Sequence, residues 1–491
     1  MSSFDLVIRG GTVGTAIGVF AADIGIVGEQ VAALGRSLPT GRTELDATER
    51  LVLPGGIDSH CHIEQLTASG LMNADTFATA TASAAVGGTT TVIPFAAQHV
   101  GMSLTRVVDE YHEAARRGAM VDYAFHMILC DPRPEVLDEE LPPLARSGHG
   151  SLKVFLTYDR LRIDDAQFLD VLDAARRHEL MVCVHAENHG MITWMGRRLL
   201  EGGYRAPRYH VPSHPRLGEI EAIGRAIACA ALVDQPLMIF HVSTAEGAAT
   251  IHRARGEGLK VWGETCTQYL TLAARDLDRP GLDGAMWMCS PPLRERSDQE
   301  ALWRALAVGT LQTVSSDHAP YRMDASGKLA NGPDASFKQI ANGMPGLELR
   351  LPVLFDAMVS RGRMGIEKFV ELTASAPARL YGLSPGKGTV AVGADADLVL
   401  WDPDREVAIE QGPRHDGAGY TPYAGRTLRG WPETVLRRGQ VIVREGRLAA
   451  DPGSGRFLPR SGGAAARPAG LTAPELDPAR NFGALLRPAS A

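Results

Sequence analysis

The sequence lacks the features that mark disulfide-stabilised, nucleic-acid-binding or membrane-spanning proteins. Its six cysteines are scattered without a CxxC pair, so we interpret them as small buried residues rather than disulfide partners. Fifty basic against 57 acidic residues give a net charge of −7, which offers no basic surface to nucleic acid. No apolar run reaches membrane-spanning length, and no basic segment followed by an apolar stretch opens the chain. We therefore expect a cytoplasmic protein with neither nucleic-acid nor membrane partners.

The middle of the chain alternates short apolar runs with amphipathic segments. The apolar runs are Leu51–Ile57, Thr89–Phe95, Asp122–Ile128, Ser151–Leu156, Met181–Val184, Pro236–Phe240, Leu259–Glu264 and Leu311–Ser315. The amphipathic segments between them include Asp75–Ala85, Ser103–Arg117, Asp164–Arg177, Arg216–Leu232, Ala245–Arg255 and Asp298–Val308. Eight strands alternating with helices predict an α/β fold, a (β/α)8 TIM-like barrel.

The two ends of the chain carry short, alternating strands bounded by turns, which predict one small β-sandwich domain. These strands are Asp5–Val13, Asp23–Leu34, Asp395–Leu400, Glu406–Ile409 and Val435–Val443. The predicted division is 1–54 and 385–450 for the β-sandwich and 55–384 for the catalytic barrel. From 451 to 491, Gly, Pro, Ala and Arg dominate and periodicity disappears, which indicates either a flexible tail or an inter-subunit arm.

Polar residues lie within or just after five of the predicted strands, near the rim where the carboxyl ends of a parallel barrel meet. His60 and His62 alternate around Cys61, so their imidazoles face the same side of an extended strand and suit one metal ion. Asp317 follows the eighth strand, where a carboxylate can bind metal and shuttle a proton. His185 and His241 follow two further strands and suit a second ion. Taken singly, each of these residues also fits an ordinary structural role.

Lys153 interrupts an apolar strand and would place a cation inside the barrel. A buried ammonium is costly, and a lowered pKa leaves a neutral amine. Such an amine can react with carbon dioxide to form a carbamate, whose two oxygens can bridge two metal ions. The alternative is a lysine paired with a buried carboxylate.

Together these motifs resemble those of the amidohydrolase superfamily, and within it the dihydropyrimidinase and hydantoinase family of cyclic amidases. The resemblance extends from about Leu6 to Arg447. Its motifs are Pro54 to His62, the strand around Lys153, His185-Ala186-Glu187-Asn188, Gly263-Glu264-Thr265-Cys266, Cys289 to Arg294, Ser316 to Pro320 and Gly393 to Val399. The resemblance implies a binuclear zinc enzyme with a carboxylated lysine. It also implies hydrolysis of a dihydropyrimidine or 5-substituted hydantoin to an N-carbamoyl amino acid by a metal-bridging hydroxide.

Carried onto this chain, the resemblance assigns a role to each matching residue. It makes His60, His62 and Asp317 ligands of the more buried metal, His185 and His241 ligands of the more exposed one, and Lys153 the bridging N6-carboxylysine. Asp317 is also the implied proton carrier. Tyr158 matches the tyrosine that supports the oxyanion, while Ser290 and Asn342 match positions whose backbone groups bind the substrate. A homo-oligomer, tetramer or dimer, is implied in the same way.

Departures from the family pattern leave the substrate open. After His62 the chain reads Ile63-Glu64-Gln65-Leu66, and Arg160 and Arg162 add charge to a rim loop that is more often apolar. Allantoinase or another cyclic imide or lactam hydrolase therefore remains an alternative. Dihydroorotase fits less well, because Glu64 stands where it carries an arginine. The distant alternative is a non-catalytic dihydropyrimidinase-related binding protein. The presence of all six ligand candidates argues against this alternative.

Overall fold

The computed structural model describes residues 4–67 and 70–484. Its strands are β1 Phe4–Thr15, β2 Gly18–Val27, β3 Gln30–Gly35, β4 Gly41–Asp46, β5 Leu51–Pro54, β6 Gly56–Cys61, β7 Thr89–Ala97, β8 Asp122–Tyr123, β9 His126–Ile128, β10 Ser151–Phe155, β11 Met181–His185, β12 Leu237–Ile239, β13 Val261–Cys266, β14 Thr313–Ser315, β15 Leu398–Ala408, β16 Thr427–Arg437, β17 Gln440–Arg444 and β18 Arg447–Leu448. Its α-helices are α1 Phe77–Val86, α2 Leu104–Gly118, α3 Leu141–Arg146, α4 Asp165–Arg177, α5 His189–Glu201, α6 His210–Ser213, α7 Arg216–Leu232, α8 Ala245–Gly256, α9 Thr267–Thr271, α10 Arg296–Ala307, α11 Arg350–Phe355, α12 Ile366–Val370 and α13 Ala376–Leu380.

A barrel of parallel strands forms the centre of the fold, which confirms the predicted (β/α)8 architecture. The strand order is β6, β7, β9, β10, β11, β12, β13 and β14. Because β8 and β9 both pair with β7, they are two halves of the third barrel strand. The last strand meets the first where the His62 amide donates to the His318 carbonyl at 2.7 Å. All carboxyl ends therefore open at one rim.

Local capping signals explain why the helices begin where the sequence predicts. Ser103 caps α2, and Thr244 caps α8 through its side chain. Asp164 forms a capping box with Gln167 at the start of α4, which satisfies two amides at the open helix end. The predicted segment Arg216–Leu232 coincides with α7.

The predicted first barrel strand, Leu51–Ile57, is wrong as a single element, since the structure divides it between two sheets. Residues 51–54 form β5, which pairs with β1 and β15 of the terminal β domain. The barrel strand β6 begins only at Gly56. Between them, a side chain at Gly55 would come within 2.1 Å of the Thr90 hydroxyl, so only glycine permits this close passage.

Both chain ends join in a second, mainly antiparallel sheet, as predicted. Its order is β18, β17, β16, β15, β5, β1, β2 and β3, with β4 paired to β1. The junction between the two ends is the antiparallel pair β5 and β15, in which Leu398 lies opposite Pro54. Leu6, Ile8, Ile24 and Leu398 belong to its separate buried core. This core gives the domain its own hydrophobic stabilisation.

The segment after residue 451, for which the sequence predicts a flexible tail or an inter-subunit arm, packs in part on its own barrel. The Leu458 amide donates to the Tyr123 carbonyl at 2.7 Å. The buried Arg460 guanidinium donates to the Phe125 carbonyl and to the Ser151 hydroxyl. These contacts lie at the amino-terminal ends of the barrel strands, opposite the open rim. Residues 485–491 of the predicted tail lie outside the described residues.

Two further expectations from the sequence concern membrane-spanning helices and disulfide bonds. Within residues 4–67 and 70–484, no helix combines the length and apolar character needed to cross a bilayer. The six cysteines all lie in this part of the chain and are free thiols, five of them buried.

Candidate active site

The carboxyl ends of the barrel strands open into one cavity of about 420 Å³. All six predicted metal ligands line it, namely His60, His62, Lys153, His185, His241 and Asp317. They extend from β6, β10, β11, β12 and β14 or from the residues directly after them. The barrel therefore brings together side chains that are far apart in the sequence.

His60, His62 and Asp317 form the tightest group in this cavity. Their ligand atoms lie within 4.8 Å of one another, a spacing that suits one metal ion. Asp317 Oδ1 lies 3.1 Å from His60 Nε2 and 3.4 Å from His62 Nε2. Burial acts to raise the pKa of Asp317, but the charge and hydrogen bonds of the two histidines hold that pKa well below its usual value. The carboxylate is therefore ionised.

Lys153 lies beside this group with its amine in an apolar setting. Nζ is 4.4 Å from the ring centre of Phe240 and 4.8 Å from that of Phe155. Among the described residues, Nζ has no hydrogen-bond partner. Burial lowers the pKa of Lys153 to about 8, although nearby Asp317 acts in the opposite direction. The amine is therefore partly neutral at neutral pH and becomes mostly neutral as the pH rises above about 8.

His185 and His241 form the second pair of candidate ligands, with ring centres 4.4 Å apart. His185 Nε2 lies 2.7 Å from Glu187 Oε2, so Nδ1 is the nitrogen left for a metal. His241 Nδ1 is buried and has no hydrogen-bond partner among the described residues. Burial holds the pKa of His241 well below its usual value and keeps the imidazole neutral, the form that binds metal.

The backbone is strained at three residues that line the cavity. Tyr158, His241 and Asp317 have φ values of 74°, 40° and 47°, in the left-handed region that bulky residues rarely adopt. Such strain persists only where the surrounding structure enforces it, and it clusters at functional sites. All three residues line the cavity.

The three predicted substrate contacts lie on the cavity wall. Tyr158, Ser290 and Asn342 all line it. Burial raises the pKa of the Tyr158 phenol, so it remains a proton donor. Gly343 follows Asn342 with φ 145°, and a side chain there would come within 2.2 Å of the Ala319 carbonyl. The loop carrying Asn342 thus approaches the Asp317 segment closely.

Two buried glutamates that contact candidate ligands were given no role in the sequence analysis. Glu264 Oε1 lies 2.6 Å from His60 Nδ1, and its other oxygen accepts a hydrogen bond from Ser59. Glu187 contacts both His185 and His214. Carboxylates in this position fix the tautomer and orientation of a metal-binding imidazole. Both glutamates lie in sequence motifs of the family resemblance, Gly263 to Cys266 and His185 to Asn188. Those motifs are the signal from which their role could have been predicted.

Replacing Glu264 with glutamine is expected to weaken metal retention. The amide keeps the shape but loses the charge that orients His60, so apparent metal affinity should fall roughly ten- to a hundredfold. Competition with a chelator measures this directly. Glu348→Gln is the matched control, because Glu348 is also buried and pairs with His415. Equal metal retention in the two variants would remove the proposed role of Glu264.

Glu64, one of the departures from the family pattern, contacts a helix end at the rim of the cavity. The Glu64 carboxylate accepts a hydrogen bond from the Phe77 amide at 3.1 Å, at the beginning of α1. Its charge therefore serves the helix end, where anions are favoured. Gln65 takes the position beside the ligands, with Oε1 2.6 Å from His62 Nδ1. Arg160 and Lys338 line the cavity from exposed positions.

Comparisons with known proteins agree with this geometry. The model of the amidohydrolase family matches residues 51–442. A D-hydantoinase from Rhizobium radiobacter is 43% identical over 458 residues, which cover 93% of this chain and 99% of the relative. The crystal structure of a dihydropyrimidinase from Brevibacillus agri superposes with a TM-score of 0.90 at 40% identity, covering 93% of this chain and 99% of that one. A solved D-hydantoinase structure gives a TM-score of 0.90 at 41% identity, with the same coverage.

The barrel, the ligand cluster and the family match define the class of protein: this chain belongs to the amidohydrolase family. Within that family it belongs to the hydantoinase and dihydropyrimidinase group of cyclic amidases. It is accordingly a hydrolase of carbon–nitrogen bonds in cyclic amides. Members of the amidohydrolase family use divalent metal, and His60, His62 and Asp317 form a candidate site for it.

Proposed function

We propose that this protein opens the ring amide of 5-substituted hydantoins or dihydropyrimidines to give N-carbamoyl amino acids. The observation that carries the proposal is the convergence of four histidines, one aspartate and one buried lysine in a single cavity. The lysine amine has no hydrogen-bond partner in the described part of the chain. The relatives named D-hydantoinase and dihydropyrimidinase support the same ring chemistry.

The donor set of the cavity fits two divalent metal ions, for which we propose zinc. Imidazole and carboxylate are ligands that zinc prefers. His60, His62 and Asp317 would hold one ion, and His185 and His241 the other. Lys153, converted by carbon dioxide to N6-carboxylysine, would offer one oxygen to each. When bound, such a pair of ions supplies water of lowered pKa and polarises a carbonyl group.

Asp317 is the residue that moves the proton. Its carboxylate is ionised beside His60 and His62, so it can accept the proton released as water adds to the ring carbonyl. The protonated acid then donates to the ring nitrogen as the carbon–nitrogen bond breaks. Water thereby contributes its oxygen to the new carboxylate and its proton to the leaving nitrogen.

Tyr158 and two backbone segments hold the substrate. The Tyr158 hydroxyl remains protonated, so it can donate a hydrogen bond to the oxygen that gains charge in the transition state. Ser290 and Asn342 line the same cavity, and their backbone groups would suit the alternating donors and acceptors of an amide or imide edge. This arrangement binds the ring independently of its substituent.

Replacing Tyr158 with phenylalanine should lower kcat roughly a hundredfold to a thousandfold, since one oxyanion donor is removed. Metal content should not change, because Tyr158 is not a ligand. Steady-state kinetics with metal analysis of the same sample tests both statements. Tyr123→Phe is a matched control, because Tyr123 is buried at the other end of the barrel. Equal kcat in Tyr158→Phe and the control would exclude the catalytic role.

A substrate panel tests the proposed function. Dihydrouracil, dihydrothymine, several 5-substituted hydantoins, allantoin, dihydroorotate and simple imides are assayed after zinc loading. Turnover of hydantoins or dihydropyrimidines supports the proposal. Turnover of allantoin alone would instead identify an allantoinase, and turnover of imides alone would identify a cyclic imide hydrolase. A protein that neither retains zinc nor opens any ring is the non-catalytic binding protein.

We also propose that the enzyme is a cytoplasmic homo-oligomer, a tetramer or dimer. Six free thiols suit a reducing compartment, where disulfides are rare. Family resemblance supports self-association. Light scattering after size-exclusion chromatography measures the number of subunits.

A further inference from the structure

Lys328 is a second fully buried lysine, and it lies behind the cavity wall. Its exposure is 0%, and burial lowers its pKa to about 7. Both of its described hydrogen-bond acceptors are backbone carbonyls: Ala341 at 2.9 Å and Met288 at 3.5 Å. The amine therefore donates its described hydrogen bonds to the main chain.

The contrast with the buried Lys387 shows why this is unusual. Lys387 Nζ lies 2.7 Å from carboxylate oxygens of both Asp122 and Asp397, which compensate its charge. Burying an amine is costly, and carboxylate partners are the usual compensation. An amine buried against carbonyls alone contributes directed hydrogen bonds rather than an ion pair.

The two carbonyls belong to the two segments proposed to hold the substrate. Met288 lies two residues before Ser290, and Ala341 directly precedes Asn342. The segments also touch each other directly, since the Gly343 amide donates to the Met288 carbonyl at 2.9 Å. Lys328 thus joins both segments at a single atom.

The Ser290 segment is fixed on its other side by separate residues. His210 Nε2 lies 2.7 Å from the Cys289 carbonyl, and the Tyr269 hydroxyl donates to the Pro291 carbonyl at 2.6 Å. Those contacts anchor Ser290 to the barrel without reaching Asn342. Together with the Gly343–Met288 hydrogen bond, the Lys328 amine links the Ser290 segment to the Asn342 segment.

We propose that Lys328 is a positioning residue that sets the separation of the Ser290 and Asn342 backbones and thereby the binding of the substrate ring edge. The inference rests on the proposed function, since it assumes that these backbones bind a cyclic amide. Lys328 acts only through the main chain and does not touch the substrate.

Lys328→Met tests the inference, because methionine has similar length and no donor. KM should rise roughly tenfold or more while kcat stays within about threefold, the pattern of lost uniform binding. The factor should be the same for hydantoin and for 5-benzylhydantoin, since both present the same ring edge. Zinc content should equal that of the unmodified protein.

Lys387→Met is the matched control. Removing this buried lysine takes one shared cation away from three carboxylates, Asp122, Asp395 and Asp397, so Tm should fall while KM stays unchanged. Lys328→Gln retains a hydrogen-bond donor, so its KM should lie between those of Lys328→Met and the unmodified protein. If Lys328→Met does not fold, Lys328→Gln is tested alone. A KM above that of the unmodified protein then supports the inference, and an equal KM contradicts it.

An unchanged KM in folded Lys328→Met, or a fall in kcat and zinc content without a change in KM, would overturn the inference. So would a KM effect confined to substrates with large substituents. The proposed function fails separately, when the unmodified protein opens neither hydantoins nor dihydropyrimidines.

Discussion

Lys153→Ala is expected to lose bound metal and at least about a thousandfold in kcat/KM, equivalent to about 4 kcal/mol of transition-state stabilisation. The reason is that Lys153, as N6-carboxylysine, is the group proposed to bridge the two halves of the candidate ligand set. Its amine lies among the Phe95, Phe155 and Phe240 rings, where it is available to react with carbon dioxide. Elemental analysis and kinetics on one preparation measure both losses.

Added acetate or propionate should partly restore activity to Lys153→Ala, because a small carboxylate can occupy the space and offer two oxygens. The unmodified protein should gain nothing from the same acids. Asp317→Asn should also gain nothing, since its bridging group is intact. A fully active Lys153→Ala protein with its normal metal content would exclude the bridge.

Asp317→Asn is expected to lower kcat roughly a hundredfold to ten-thousandfold, the range of a lost general acid–base group. Asparagine occupies the same volume but can neither accept the proton nor balance the charge near His60 and His62. Metal content should fall as well, because one anionic ligand is lost. Kinetics at saturating substrate with metal analysis give both values.

Asp75→Asn is the matched control for Asp317→Asn. Asp75 is buried and its carboxylate lies 2.6 Å from His318 Nε2, so it is also an aspartate paired with a histidine. It does not belong to the ligand set, so its kcat should change by less than about tenfold. Comparable losses of kcat in the two variants would assign the effect of Asp317 to structure instead of proton transfer.

The convergence of the six candidate ligands was predictable because each lies within or just after a recognisable strand. Lys153 lies inside β10, the others lie at or just past the carboxyl ends of their strands, and those ends share one rim. The sequence pattern therefore predicted which side chains would meet, although not their distances. The starts of the helices could also be predicted from the sequence, because capping residues such as Asp164 are local signals.

Other features depend on contacts that no local pattern encodes. The break at Gly55 follows from its approach to Thr90, which only the assembled barrel creates. The course of the segment after residue 451 depends on single anchors such as Leu458 and Arg460, which have no periodicity. Lys328 was missed because its partners are backbone carbonyls, which leave no trace in residue types.

The most direct test of the account is an anomalous-scattering map of the zinc-loaded crystal at the zinc absorption edge. We predict two peaks in the cavity, one about 2.0–2.2 Å from ligand atoms of His60, His62 and Asp317 and the other equally close to His185 and His241. Electron density should continue from Lys153 Nζ to both peaks. A single peak, or a bare Lys153 amine remote from any metal, would contradict the account.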